Sequence, residues 1–251
     1  MNDHTQDRPS RRKRHRSRAE SQNVTGLTHK AVLLLVLLVS AALLFVGVRM
    51  TAAGIASYQA EAFLQDWTGK GTEPDPSAWT VAQDAAQRAV NLYPVANGEY
   101  FDRLGLVHSW QHFARPYASP DALSSRLAAL DAYRASLEAR PVWPNTWARL
   151  ATTKLQLAVF DGEFKQALAR AAELGPSRIA VQREVISTVF AAWPQLSETE
   201  RERFLESARR SVAYGQREAQ QVQAMAVQHG LSDVFCNSLD TNIKTTRKLC
   251  Q

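Results

Sequence analysis

Cysteine is nearly missing from this chain. Its 251 residues hold two, Cys236 and Cys250, both in the last 16 positions. No histidine or further cysteine lies close enough in sequence to complete a set of four ligands, so a structural zinc site is not expected. Alternating Val, Ile and Thr are almost absent, which leaves no strand candidate. There is no G-x-S-x-G, no phosphate-binding glycine loop and no Cys/His nucleophile pair, so the common signatures of acyl transfer and nucleotide chemistry are missing. Net positive charge is also scarce outside one end. The formal charge is +6, and residues 1–30, with eight Lys or Arg against Asp3, Asp7 and Glu20, account for +5 of it. The rest of the chain is almost neutral. A nucleic-acid-binding module wants a basic face on its folded part, and this sequence offers none.

One long hydrophobic run stands out. Residues 31–48 read AVLLLVLLVSAALLFVGV, with no charge, no proline and one glycine. With its flanks the run reaches the roughly 20 residues a helix needs to cross a hydrocarbon core of ~30 Å. A cleaved signal peptide is the rival: the Arg run resembles an n-region, and Gly54-Ile55-Ala56 offers small residues. The apolar stretch exceeds the usual ~7–15 residues of such a segment, and the pattern continues through Ile55, Tyr58, Ala62 and Phe63. An uncleaved anchor is therefore expected. Basic residues near a span stay cytoplasmic, so the N-terminus is placed inside and everything from about residue 50 outside. In an oxidising compartment a lone cysteine pair tends to close, and Cys236–Cys250 is expected as a disulfide; two separate thiols are the alternative.

The chain then divides as follows. Residues 1–29 are polar and Arg-rich, and are expected to be a disordered cytoplasmic tail. Residues 30–50 form the transmembrane helix. Residues 51–76 are read as a helical extension to about Trp67, followed by a Gly/Pro linker in TGKGTEPDPS (68–77). Residues 77–251 are rich in Ala, Leu, Arg, Gln and Glu, all good helix formers. Breaks are expected near Pro94, Pro116, Pro141, Gly175–Pro176, Pro194 and Gly215, with Asn97, Ser119, Asn145, Ser177 and Ser197 as N-caps. Ser197 with Glu200 makes a capping box.

Three segments share an ending: RAVNLYP (88–94), RASLEARP (134–141) and RAAELGP (170–176). Pro141 and Pro176 are 35 apart, near the ~34-residue period of a tetratricopeptide (TPR) repeat. Trp147, Leu150 and Ala151 fit a first helix, and Phe164, Ala167, Ala171 and Leu174 a second. Pro94 to Pro141 spans 47 residues, which departs from the period. The expected fold is all-α: an N-terminal transmembrane helix followed by a TPR-like array of antiparallel helical hairpins.

The blocks YFDRLGLVHSW, ARPVWPNTWARLATTKLQ and DGEFKQALARAAELGP resemble the VpsP family, membrane-anchored proteins associated with bacterial exopolysaccharide biosynthesis. Trp193, Arg201 and the terminal cysteine pair are also similar. The resemblance runs from about Ala85 to Cys250, and RPxWPxTW is its most distinctive part. It implies an accessory role in making or exporting a secreted polysaccharide, and brings no catalytic residue with it.

Candidate chemistry is thin. His108 and His112 have the spacing of a zinc-protease pair, but Ser109 stands where the general-base Glu would be; packed and exposed hairpin histidines are the better reading. Asp161 with Glu163, or Glu198, Glu200 and Glu202, could be offered as a glycosidase pair. Asp161-Gly162 reads better as a turn, and the glutamates as first-turn acids. Trp143 and Trp147 either fill the hairpin core or stand exposed for a sugar ring or a partner. A TPR-like array presents a groove for protein partners, and Arg140, Trp143, Arg149 and Lys154 are the residues expected to line it. The sequence thus points to a non-enzymatic scaffold without cofactor, metal or nucleic-acid partner. It would sit in a bacterial inner membrane with its helical domain in the periplasm, beside a polysaccharide polymerase or exporter. An envelope-assembly factor unrelated to polysaccharide, or a glycan-binding protein, are the rivals.

Overall fold

Helix α1 (Arg11–Lys70) runs unbroken for 60 residues in the computed structural model, which describes the backbone of residues 11–250 and the side chains of residues 29–250. The α1 backbone takes in residues 11–29 of the Arg-rich tail, whose first ten residues lie outside the described part. Arg, Lys, Ala, Glu and Gln are intrinsically good helix formers, and a helix already nucleated in the apolar run propagates into them residue by residue. Internal contacts divide the chain after Thr51. In the first unit, Val32 to Val48 are exposed apolar side chains along a helix long enough to cross a membrane, with none of the apolar window covered by protein. This is consistent with a single membrane-spanning segment.

The second unit, Ala52–Gln251, begins 25 residues earlier than the sequence reading placed it. Ala53, Ala56, Ala60, Leu64 and Trp67 are buried at three- and four-residue spacing, so the stretch read as an extension is the first helix of the folded body. Small alanines hid this stripe: each adds little hydrophobicity but lets a neighbouring helix approach closely. The expected linker shrinks to a turn at 71–75, where Gly71 takes φ +65°, a left-handed conformation that glycine tolerates best.

The remaining helices are α2 (Pro76–Leu92), α3 (Gly98–Trp110), α4 (Leu123–Ala139), α5 (Pro144–Gln156), α6 (Gly162–Leu174), α7 (Ile179–Ala191), α8 (Glu198–Tyr214), α9 (Gln216–Gln228), α10 (Ser232–Asn237) and α11 (Thr241–Arg247). No strand occurs among the described residues. The breaks after α2, α3, α4, α6, α7 and α8 fall at or before the expected Pro or Gly. That after α5 runs up to the Asp161-Gly162 turn, whereas those after α9 and α10 were not among the expected ones. Asn97 and Ser197 cap as expected, the latter with its full capping box. Asn145 and Ser177 do not: α5 starts at Pro144, two residues earlier than a cap at Asn145 would place it, because the fixed φ of proline suits N1, and Trp143 and Arg178 hold the cap positions.

Neighbours pair as α3 with α4, α5 with α6 and α7 with α8, while α5 also meets α7 and α7 meets α9. One apolar cluster joins α1, α2, α3 and α4 around Trp67, Ala82, Leu104 and Val107. A larger one runs from Tyr133 through Phe164, Val185 and Phe204 to Phe235. The α3–α4 approach depends on Gly105, where a Cβ would lie 2.5 Å from Tyr133 Cε1. Between these helices the loop 111–119 is pinned by buried Arg126, which donates to the carbonyls of Arg115 (2.7 Å), Pro116 (2.9 Å) and Gln156 (2.9 Å). At the C-terminus Cys236 and Cys250 form the expected disulfide, Cα–Cα 5.8 Å. Arg209 Nε donates to Ser238 O at 2.9 Å and Arg247 to Ala213 O at 2.9 Å, tying this end to α8.

Candidate functional site

Helix α5 carries the site, because its first turn and middle face α3 on one side and α7 on the other. A cleft of about 410 Å³ is lined by Glu61, Glu99, Asp102, Arg103, Leu106, Arg140, Trp143, Asn145 and Arg149. A second hollow of about 530 Å³ shares Glu61, Leu106 and Arg149 with it and adds Leu64, Thr68 and Trp110. Together they make one groove over α1, α3 and α5, charged at the Trp143 end and more apolar at the Trp110 end.

Arginines hold the walls. Arg103 Nε donates to Glu61 Oε2 at 2.8 Å, its second arm bonds Ser57, and its third reaches Glu99 Oε1 at 3.1 Å. Burial pushes the Glu61 carboxyl up, but the hydrogen bond and charge of Arg103 outweigh it and hold the group below its ordinary range. Arg149 pairs with Asp102, whose other oxygen accepts from Thr146 Oγ1 at 2.8 Å. Burial acts against the Arg149 cation, yet the Asp102 charge raises its pKa on balance.

The same pattern continues along the body. Thr152 Oγ1 lies 3.1 Å from Glu184 Oε1 and 3.0 Å from Thr188 Oγ1, and Arg183 Nε donates to Glu218 Oε2 at 3.0 Å. Successive odd-numbered helices are therefore joined by polar rungs: α1 to α3, α3 to α5, α5 to α7, α7 to α9. The sequence reading missed this ladder. Its trace was there in the opposite charges of Arg183 and Glu218, 35 residues apart, a spacing that Lys165 and Glu200 (3.1 Å) repeat between α6 and α8.

Three of the four residues expected to line a groove meet here: Arg140, Trp143 and Arg149. Lys154 does not. It is 1% exposed, with Nζ 2.8 Å from Asp161 Oδ2 and 2.5 Å from Glu163 Oε2; its amine clamps the α5–α6 turn instead of facing a ligand. Asp161 caps α6 through Phe164 N, as a turn residue should, and the two carboxylates share one lysine rather than flanking a cleft.

The RPxWPxTW block turns out to be structural punctuation for this site. The Arg140 guanidinium lies 4.1 Å and the Arg178 guanidinium 4.7 Å from the Trp143 ring centroid. Thr146 fixes Asp102, and Trp147 Nε1 donates to Pro141 O at 2.8 Å while its ring packs on the core. Gly98 makes room for Arg140, since a Cβ there would meet its side chain at 2.7 Å. His108 sits near the end of α3 and packs on Trp79, with burial lowering its pKa; α3 stops at Trp110 before His112, so the two do not share a helix. Among the described residues no group of three or more His, Cys, Asp or Glu could hold a metal ion.

These features define a class: an all-α, membrane-associated protein with one long apolar helix and a packed helical bundle. Compared with known proteins, the chain matches no family model and no curated sequence.

Proposed function

We propose that this protein is a non-catalytic scaffold of exopolysaccharide biosynthesis or export, anchored by one span in a bacterial inner membrane. Its N-terminus is cytoplasmic and its helical body periplasmic. The body acts as a TPR-like array whose odd-numbered helices present the groove to a partner, a polysaccharide polymerase or exporter. The single observation that carries this reading is the polar ladder. The rungs hold α3, α5, α7 and α9 side by side, at 44 and 47 residues between α3 and α5 and at 32 to 36 residues beyond, close to the repeat period only from α5 onward; helical-repeat proteins build an extended binding face in this way. The polysaccharide assignment rests on the VpsP-like blocks, whose Arg140 and Trp143 line the groove and whose buried Thr146 fixes Asp102 beneath it.

Deleting residues 52–251 while keeping the anchor should abolish polymer in the medium and leave lipid-linked precursor synthesis intact. Normal secretion from that deletion refutes the reading. Topology is tested apart from it: protease added to spheroplasts should digest the body and spare the basic tail, and a body that survives until lysis overturns the periplasmic placement.

A further inference from the structure

The lining of the groove balances three guanidinium groups against three carboxylates, and Arg178, beside Trp143, adds a fourth cation at one end. Glu61 is held by Arg103, Asp102 by Arg149 and Thr146, and Glu99 by Arg103. Arg140 has only a 3.8 Å approach to that same Glu99. Arg178, exposed and lying against the Trp143 ring, makes no ion pair among the described residues, and its side chain donates to Asn145 Oδ1 at 3.4 Å. Four guanidinium groups thus face three carboxylates, and the surplus sits at Arg140 and Arg178. Both lie against the Trp143 ring, which holds a guanidinium by its face and leaves its N–H edge in the ring's periphery for an acceptor. The caps of α5 and α7 fall at Trp143 and Arg178, and neither helix has a side-chain cap bond, so two helix N-termini add their positive ends to the same spot. Farther along the groove, Leu64, Leu106 and Trp110 line its apolar end.

We propose that Arg140 and Arg178, held over Trp143, bind a side-chain carboxylate of a partner protein's extended segment, with an apolar side chain of that segment seated at Leu64, Leu106 and Trp110. A peptide fits better than a sugar acid because arginine already covers the Trp143 ring, leaving no bare aromatic face for a pyranose. The proposal rests on the groove being a partner-binding face and is independent of polysaccharide.

The test uses the full chain in detergent micelles. A fluorescein-labelled, C-terminally amidated peptide Glu-Glu-Gly-Gly-Leu-Leu is titrated by anisotropy against its Gln-Gln-Gly-Gly-Leu-Leu counterpart, with oligogalacturonate as competitor. The glutamate peptide should bind and the glutamine peptide should bind about tenfold more weakly, the scale of one lost charge-assisted contact. Arg178→Ala should weaken the glutamate peptide by a similar factor and Arg178→Glu should abolish its binding, while Arg170→Ala, on α6, leaves it unchanged. Arg178 is exposed, so these variants keep the fold, which circular dichroism checks. Equal binding of both peptides, unaltered binding to Arg178→Glu, no binding at all, or displacement by oligogalacturonate at lower concentration than by unlabelled peptide would each overturn the proposal. Arginine-dependent peptide binding together with normal secretion in the deletion strain would leave this site standing and remove only the polysaccharide role.

Discussion

Lys154 offers the sharpest test of how α5 and α6 are held together. Its ammonium is buried, while its partners are not: the Asp161 and Glu163 side chains are 51% and 30% exposed. Lys154→Ala removes three buried methylenes, about 2.4 kcal/mol at ~0.8 kcal/mol each. It also removes two charge-assisted hydrogen bonds. These are ordinarily worth about 1.5–3 kcal/mol apiece, but here they must be discounted. Asp161 regains water, and Glu163 keeps Arg134, whose Nε and second arm reach its two oxygens at 2.8 and 2.7 Å. A net electrostatic loss of about 1–2 kcal/mol remains. Lys154→Ala should therefore cost about 4 kcal/mol. Lys154→Met, which refills the stem's volume, should cost only the electrostatic part, about 1–2 kcal/mol. Urea unfolding of the full chain in micelles, followed by far-ultraviolet circular dichroism, reads both. Equal losses in the two variants would refute the division into stem and charge. An unchanged midpoint in Lys154→Ala would refute the clamp itself.

Glu163 should make the same region acid-sensitive. Arg134, with Lys154, overcomes burial and takes its carboxyl from an ordinary 4.5 to about 2. A depressed folded-state pKa stabilises above about pH 4.5 and the contribution is lost as pH falls from there toward 2; after allowing for partial exposure it amounts to about 2 kcal/mol. Glu163→Gln should flatten the fall in urea midpoint between about pH 6 and pH 3, and an equally steep fall in the variant would count against this. Gly105→Ala should lose about 2–3 kcal/mol, because its new methyl meets a Tyr133 ring that is fully packed; a wild-type melting curve would show that α3 and α4 can part at little cost. Cys236→Ser should lose about 3 kcal/mol, the chain-entropy estimate for a loop of this length, and should expose the tail beyond residue 238 to trypsin. An uncut tail would mean that Leu249 and Arg247 hold it without the bond.

The legible parts of this fold were those written in short sequence. The apolar run, the Pro and Gly breaks, the Ser197–Glu200 box and the cysteine pair each declare themselves within about twenty residues, because the physics behind them is local. The misplaced parts depended on distant partners. Nothing near Lys154 shows that Asp161 and Glu163 will fold back onto its amine, so it read as a surface cation among other α5 polar residues. The 52–70 stretch reads as an extension in sequence because its buried face is mostly alanine, and alanine is equally at home exposed. Arg126 left no mark at all: its three acceptors are backbone carbonyls, and every residue has one. In the site, Arg140, Trp143 and Arg149 were legible through the density of Trp, Pro and Arg in one block. Arg178, 35 residues beyond Trp143, and the acids of α1 and α3 were not.

The ladder also bears on why charges occur inside this body. A partly buried ion pair such as Arg149–Asp102 gives little net stability over a well-packed apolar pair, since desolvation offsets most of the attraction. Breaking one side, however, strands the other and costs about 3–5 kcal/mol. Such rungs therefore penalise wrong alignments more than they reward the right one. Alanine-rich helices need that discrimination. Ala82, Ala85, Ala86 and Ala89 on α2, or Ala167 and Ala171 on α6, pack closely but differ little in shape, so a slip along the helix axis changes apolar contact only slightly. A slip of α5 against α3 would instead part Arg149 from Asp102, and Thr146 with it. Register is thus set by polar rungs and cohesion by small apolar residues, and the groove at Trp143 inherits its geometry from the first of these.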